Sequence, residues 1–130
     1  MFQTFLVMLG GGIGSVLRYQ AGKLSLALLG RGWPWGTLFV NVSGGLVMGL
    51  FAGWLALRSA GGGESQRLFF AVGVLGGFTT FSSFSLETML MIERGEVASA
   101  LAYILVSVIA SVGALALGLG IARSMMGVGA

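Results

Sequence analysis

The chain has 130 residues, 56% of them hydrophobic and 8% charged, with a net charge of +3 and no cysteine or histidine. A soluble domain carries about 25% charged residues, so this chain could not cover its own surface in water, and a membrane is the simple reading. The missing residue types exclude disulfides, thiol chemistry and the usual transition-metal sites, and the seven scattered basic residues form no nucleic-acid patch.

The first uncharged stretch runs from Met1 to Leu17. The first charge is Arg18, so there is no basic leader and no cleaved signal peptide is expected. The stretch reaches the roughly 20 residues that cross hydrocarbon if Arg18 extends to the interface. A joint follows around Lys23 to Arg31. The second stretch covers Gly32 to Leu57 and opens with "GWPW", which places a proline in the first helical turn and two tryptophans at headgroup level. Gly45, Gly49 and Gly53 recur every four residues here, as Gly10 and Gly14 do in the first stretch. Such faces let helices approach closely, either between two chains or within one. Asn41 lies near the middle of this helix. An amide in hydrocarbon needs partners, so it either bonds another helix or lines an ion path.

A flexible turn is expected over "SAGGGES", residues 59 to 65, before a third stretch from Leu68 to Leu86. That stretch contains "GGFTTFSSFS", residues 76 to 85. Gly76 and Gly77 weaken a helix, and Thr79, Thr80, Ser82, Ser83 and Ser85 compete for its backbone. A break is expected here. It would expose carbonyls from the first half and N–H groups from the second, in the manner of midplane ion sites. Phe81 and Phe84 share a face if the second half is helical. Glu87 is expected near the interface or beside a basic residue. A short solvated joint at Glu93 to Glu96 leads to the fourth stretch, Val97 to Ala122. Ser99, Tyr103, Ser107 and Ser111 fall at intervals of four there, stacking four hydroxyls on one face as a wet or ligand-facing stripe.

These elements describe one all-α membrane domain over residues 1–130, with four transmembrane helices and a break in the third. Four crossings put both termini on one side, with Arg58, Arg67 and Arg123. The opposite side holds Arg18, Lys23, Arg31 and Arg94. Three against four is a weak orientation bias. It admits insertion both ways, with an antiparallel two-fold dimer as the product, or a single topology.

"GGFTTFSSFSLET" resembles the signature of the Fluc (CrcB) fluoride channel family. "GWPWGTLFVNVSGG" is similar to that family's helix 2, and "GGGIGSVLRY" to its helix 1 with the basic residue at its end. The likeness covers nearly the whole chain. It implies a dual-topology homodimer whose antiparallel subunits form two fluoride pores, exporting fluoride passively through the cell's inner membrane and protecting a microbial cell. It implies a structural, untransported sodium ion at the dimer centre, bound by the backbone carbonyls of Gly76 and Thr79 from both subunits. It assigns to the ion pathway Phe81, Phe84 and Asn41, the hydroxyls of Ser82, Ser83, Tyr103, Ser107 and Ser111, and Arg18 near the aqueous vestibule. Ser83 stands where threonine is common in the motif, and keeps the hydroxyl.

Elementary chemistry agrees with that assignment. Fluoride is small and tightly hydrated, so a pore must replace water's donors, and hydroxyls and an amide can donate. The positive edges of phenylalanine rings favour an anion without binding it as tightly as a fixed charge. Two other classes compete. One is a proton-coupled exporter similar to the small multidrug resistance proteins, which carry a carboxylate inside helix 1; this chain has none there, and only Glu87 could substitute. The other is a non-transporting membrane assembly subunit. No enzyme is expected.

Overall fold

The computed structural model describes residues 1–58, 63–125 and 127, and among them the regular structure is helical with no strand. The turn expected over residues 59–65 lies outside the described residues at 59–62.

Helix α1 spans Phe2–Leu29, 28 residues or about 42 Å. The joint expected around Lys23 to Arg31 is therefore corrected, since the helix continues through Lys23 to Leu29. The added stretch contains no proline and mostly good helix formers, so nothing local stops it. It ends at Gly30, whose φ of +76° suits glycine and whose N–H returns to the Leu26 carbonyl. Helix α2 is Trp35–Arg58. Pro34 lies just outside the first turn rather than in it, and its carbonyl accepts the Leu38 N–H at 3.2 Å.

Helix α3, residues 64–78, begins as Glu64–Gln66, widens into a π-helical stretch at Arg67–Leu75 and closes as Gly76–Phe78. Thr79 (φ −86°, ψ 159°) and Thr80 (φ −152°, ψ 117°) are extended. Helix α4, Phe81–Glu93, then leads through Gly95 (φ +82°) to α5, Val97–Met125. At that turn the Glu96 N–H reaches the Met91 carbonyl at 2.8 Å, closing the end of α4.

Three segments are long and apolar enough to cross a membrane: Trp35–Arg58, Glu64–Glu93 and Val97–Met125. Helix α1 has the length, but Gln3, Thr4, Arg18, Gln20 and Lys23 make it more polar than the others.

The glycine faces are occupied inside the chain. A Cβ on Gly45 would lie 2.7 Å from the Ser111 carbonyl oxygen, and one on Gly53 would lie 2.7 Å from the Ala122 Cβ. One on Gly49 would run into the Leu115 carbonyl. These three pack α2 against α5. Gly10 and Gly14 pack α1 against α3, with no room for a side chain before the main chain at Phe69 and Val74. Lipid tails give helices no hydrophobic reason to associate, so close backbone approach supplies the dispersion contact instead. The small-residue spacing consequently no longer argues for a dimer. Val40 and Tyr103 are fully buried, and a core of Phe84, Met91, Ala100 and Tyr103 gathers Trp33, Leu38 and Ile104 around it.

Gly49→Ala should lower the stability of the folded protein by about 1–3 kcal/mol through overpacking. Gly113→Ala, where an added Cβ meets nothing within 4 Å, should stay within about 0.5 kcal/mol of the parent. Denaturant unfolding in mild detergent measures both.

Candidate functional site

At two extended residues in apolar surroundings the helical ladder is interrupted, and the freed main-chain groups need other partners. Asn41 on α2 supplies the partners for Thr80. Its Nδ2 donates to the Thr80 carbonyl at 3.0 Å, and its Oδ1 accepts the Thr80 N–H at 2.7 Å. Only one orientation of the amide makes both bonds. Asn41 therefore makes an interhelical bond, and its second Nδ2 hydrogen remains for another acceptor. Thr79 closes α3, with both its N–H and its Oγ1 donating to the Leu75 carbonyl, at 3.0 and 2.9 Å. Thr80 caps α4: its Oγ1 accepts the Ser83 N–H at 3.1 Å and lies 3.3 Å from the Ser82 hydroxyl.

Beside this segment is a cavity of about 300 Å³. It is lined by Asn41, Thr79, Thr80, Phe81, Phe84, Ser107, Val108, Ser111 and Val112. Phe84 is buried and Phe81 is 77% exposed, and their ring centroids are 5.6 Å apart. Phe84 also lies 5.1 Å from the Tyr103 ring. On α5, Tyr103 and Ser107 are buried and Ser111 half-buried, so the expected stripe faces inward. The hydroxyls of Ser107 and Ser111 are buried and find no hydrogen-bond partner among the described residues. Such a group is costly to leave unpaired. Neither makes the bond to its own helix that serines in membrane helices commonly make.

Arg18 and Ser83 line a second cavity of about 330 Å³ that also reaches Thr37 and Thr80. Because α1 continues past Arg18, the guanidinium does not sit at a helix end. Its Nε donates to the Gly77 carbonyl at 3.0 Å, bringing a fixed positive charge beside the extended pair. Ser82 is exposed.

Glu87 was expected near the interface or beside a basic residue. Its carboxylate accepts from the Thr37 hydroxyl at 3.0 Å and from the Tyr103 hydroxyl at 3.1 Å, joining α2, α4 and α5. Two hydroxyl donors thus serve it, and it lines a cavity that also holds Trp33, Trp35, Arg31 and Arg94. Above this cluster the Trp33 Nε1 donates to the Ser99 hydroxyl at 3.0 Å, and the Trp33 ring meets Tyr103 edge-on at 5.3 Å. Thr37, Glu87 and Trp33 were not singled out from sequence as part of the site. Spacing carried the signal: Thr37 precedes Asn41 by four residues, and Glu87 follows Phe84 by three, so each shares a helical face with a singled-out residue. Among the described residues no group of three or more Asp, Glu, His or Cys is placed to hold a metal ion.

The family model described as "CrcB-like protein, Camphor Resistance (CrcB)" matches residues 5–119. A protein of Novosphingobium aromaticivorans named fluoride-specific ion channel FluC is 54% identical over 127 residues, covering 96% of this chain and 99% of that protein. One of Hyphomonas neptunium with the same name is 55% identical over 118 residues, covering 91% and 93%. A third, from Caulobacter sp. strain K31 and also so named, is 53% identical over 128 residues, covering 98% and 100%. With matches of that identity running the length of both chains, and with the motif segment and its helices laid out as above, this chain belongs to the CrcB family.

Proposed function

We propose that this protein is a fluoride-selective channel that exports fluoride passively and protects the cell, and that it is not an enzyme. The observation that carries the reading is the pair of buried, unpartnered hydroxyls, Ser107 and Ser111, in one cavity with Asn41, Phe81 and Phe84. Unpaired donors in a dry groove suit a small anion that arrives without its water. The second Asn41 hydrogen and the positive ring edges of the two phenylalanines act in the same sense. No lysine lines this cavity, so an anion there would be held weakly enough to leave. The relatives' name, fluoride-specific ion channel, supports fluoride as the anion.

In this reading Tyr103 continues the hydroxyl track beyond Ser107. Ser82 and Ser83 serve the mouth of the path, and Arg18 draws anions into the cavity it shares with Ser83. The working unit is an antiparallel homodimer in the inner membrane, with the exposed Phe81 on a face that the second copy covers. The extended pair Thr79–Thr80 is the break in the third crossing. A structural sodium ion at the dimer centre would be held by the carbonyl oxygens of Gly76 and Thr79 from each copy. Neutral carbonyl oxygens suit a hard monovalent cation, and residues that leave the helical ladder can offer them. No observation favours proton-coupled export, because Glu87, the carboxylate that could serve it, is bound by two hydroxyls of its own chain.

Proteoliposomes carrying the protein should release fluoride and not chloride when a potassium ionophore clamps the potential, and equal rates for the two anions would reject the reading. Phe81→Ile and Phe84→Ile should each slow fluoride release about tenfold or more with the dimer intact, as follows from losing ~1.4 kcal/mol of barrier stabilisation. Ser107→Ala with Ser111→Ala should separate flux from stability. Release should fall, while unfolding stability should hold or rise, because two buried unpaired hydroxyls have been removed.

A further inference from the structure

We propose that Asn41 and the Thr80 side chain are positioning residues that keep the carbonyl oxygens of Gly76 and Thr79 free for a cation. They would do so by capturing the two amide hydrogens that a continuous helix would deliver to those oxygens. The proposal rests on the sodium site proposed above and adds the side chains that create it.

In an α-helix the N–H of residue i bonds the carbonyl of residue i−4. An unbroken helix through this segment would pair the Thr80 N–H with the Gly76 carbonyl and the Ser83 N–H with the Thr79 carbonyl. Here neither donor goes that way. The Thr80 N–H goes to Asn41 Oδ1 at 2.7 Å, and the Ser83 N–H goes to Thr80 Oγ1 at 3.1 Å. The other half of the Asn41 amide holds the Thr80 carbonyl at 3.0 Å, so the peptide is fixed from both ends. The diverted donors are those of the two carbonyls assigned to the cation. Two carbonyls lie between them, those of Gly77 and Phe78, and the Gly77 oxygen is occupied by Arg18 Nε at 3.0 Å. The Gly76 and Thr79 oxygens thus lose their helical donors, and the Gly77 oxygen is closed by a charge that would repel a cation. An ordinary capping arrangement would need only the Thr80 hydroxyl. The amide on α2 is the additional part, and it reaches across 39 residues of sequence to supply its acceptor.

The test uses the full-length protein purified as a dimer in detergent, with sodium titrated against N-methylglucamine and thermal unfolding as the readout. Flux is not used, because Asn41 also has a proposed place in the pathway. Thr80→Ser keeps the hydroxyl acceptor and should show the parent's sodium midpoint. Thr80→Ala and Asn41→Ala should each raise that midpoint about tenfold or more, the usual cost of losing a group that orients a metal ligand. Both should converge on the parent's dimeric state at saturating sodium. Alanine variants that fold as dimers with an unchanged midpoint would overturn the proposal. Should they fail to fold, carbonyl ¹³C shifts of the parent in bilayers decide. Sodium should move Gly76 and Thr79 and leave Gly77 in place, and a response at Gly77 instead would overturn it. A parent indifferent to sodium would sink the sodium site itself and this proposal with it, an outcome distinct from a parent that responds and variants that respond at the same midpoint.

Discussion

A peptide group cannot go unpaired where there is no water, and the structure around residues 79–80 is arranged by that constraint. The chain leaves helical geometry there, so a partner has to come from elsewhere. Asn41 provides it with both halves of one amide, facing both main-chain groups of Thr80. The hydroxyls of Thr79 and Thr80 secure the two helix ends on either side, one backward to Leu75 and one forward to Ser83. An amide on α2 can meet this segment only because α2 runs alongside it. The packing of the helices and the conformation of the segment therefore depend on each other.

That packing is made by absence of side chains. Gly45, Gly49 and Gly53 bring α2 onto α5, and Gly10 and Gly14 bring α1 onto α3. Gly77 belongs to the same contact, since a Cβ there would lie 2.6 Å from the Gly11 carbonyl oxygen. Its missing side chain lets α1 lie close enough for Arg18 to reach the Gly77 carbonyl. Close approach also narrows the space available to polar groups. Ser107 and Ser111 of α5 then line a cavity shared with Phe81, Phe84 and Asn41.

The polar side chains divide into those that hold the protein together and those left with bonding capacity. Glu87, Thr37, Tyr103, Trp33 and Ser99 bond one another or meet ring to ring, tying three helices at one end. Ser107, Ser111 and one hydrogen of Asn41 are not engaged in that way. In the proposed function Glu87, Thr37, Trp33 and Ser99 are framework that shapes the track, Tyr103 belongs to both groups, and the second group meets the anion.

Composition and spacing alone established the helical, membrane-spanning class and the motif at residues 76–85, and aligned Ser99, Tyr103, Ser107 and Ser111 on one face of the last helix. These depend on what a residue is and on the 3.6-residue helical period, which are local properties. They also drew attention to Asn41 while leaving open whether it was a bond or a lining group. Packing decided the rest. It decided that α1 runs past Arg18, that the glycine faces close on helices of the same chain, that Glu87 is held by hydroxyls, and that Asn41 takes up the main chain of Thr80. Each depends on which helix lies beside which, and at what separation. A linear order of residues does not carry that information, because partners 39, 50 or 59 positions apart meet only once the helices have packed.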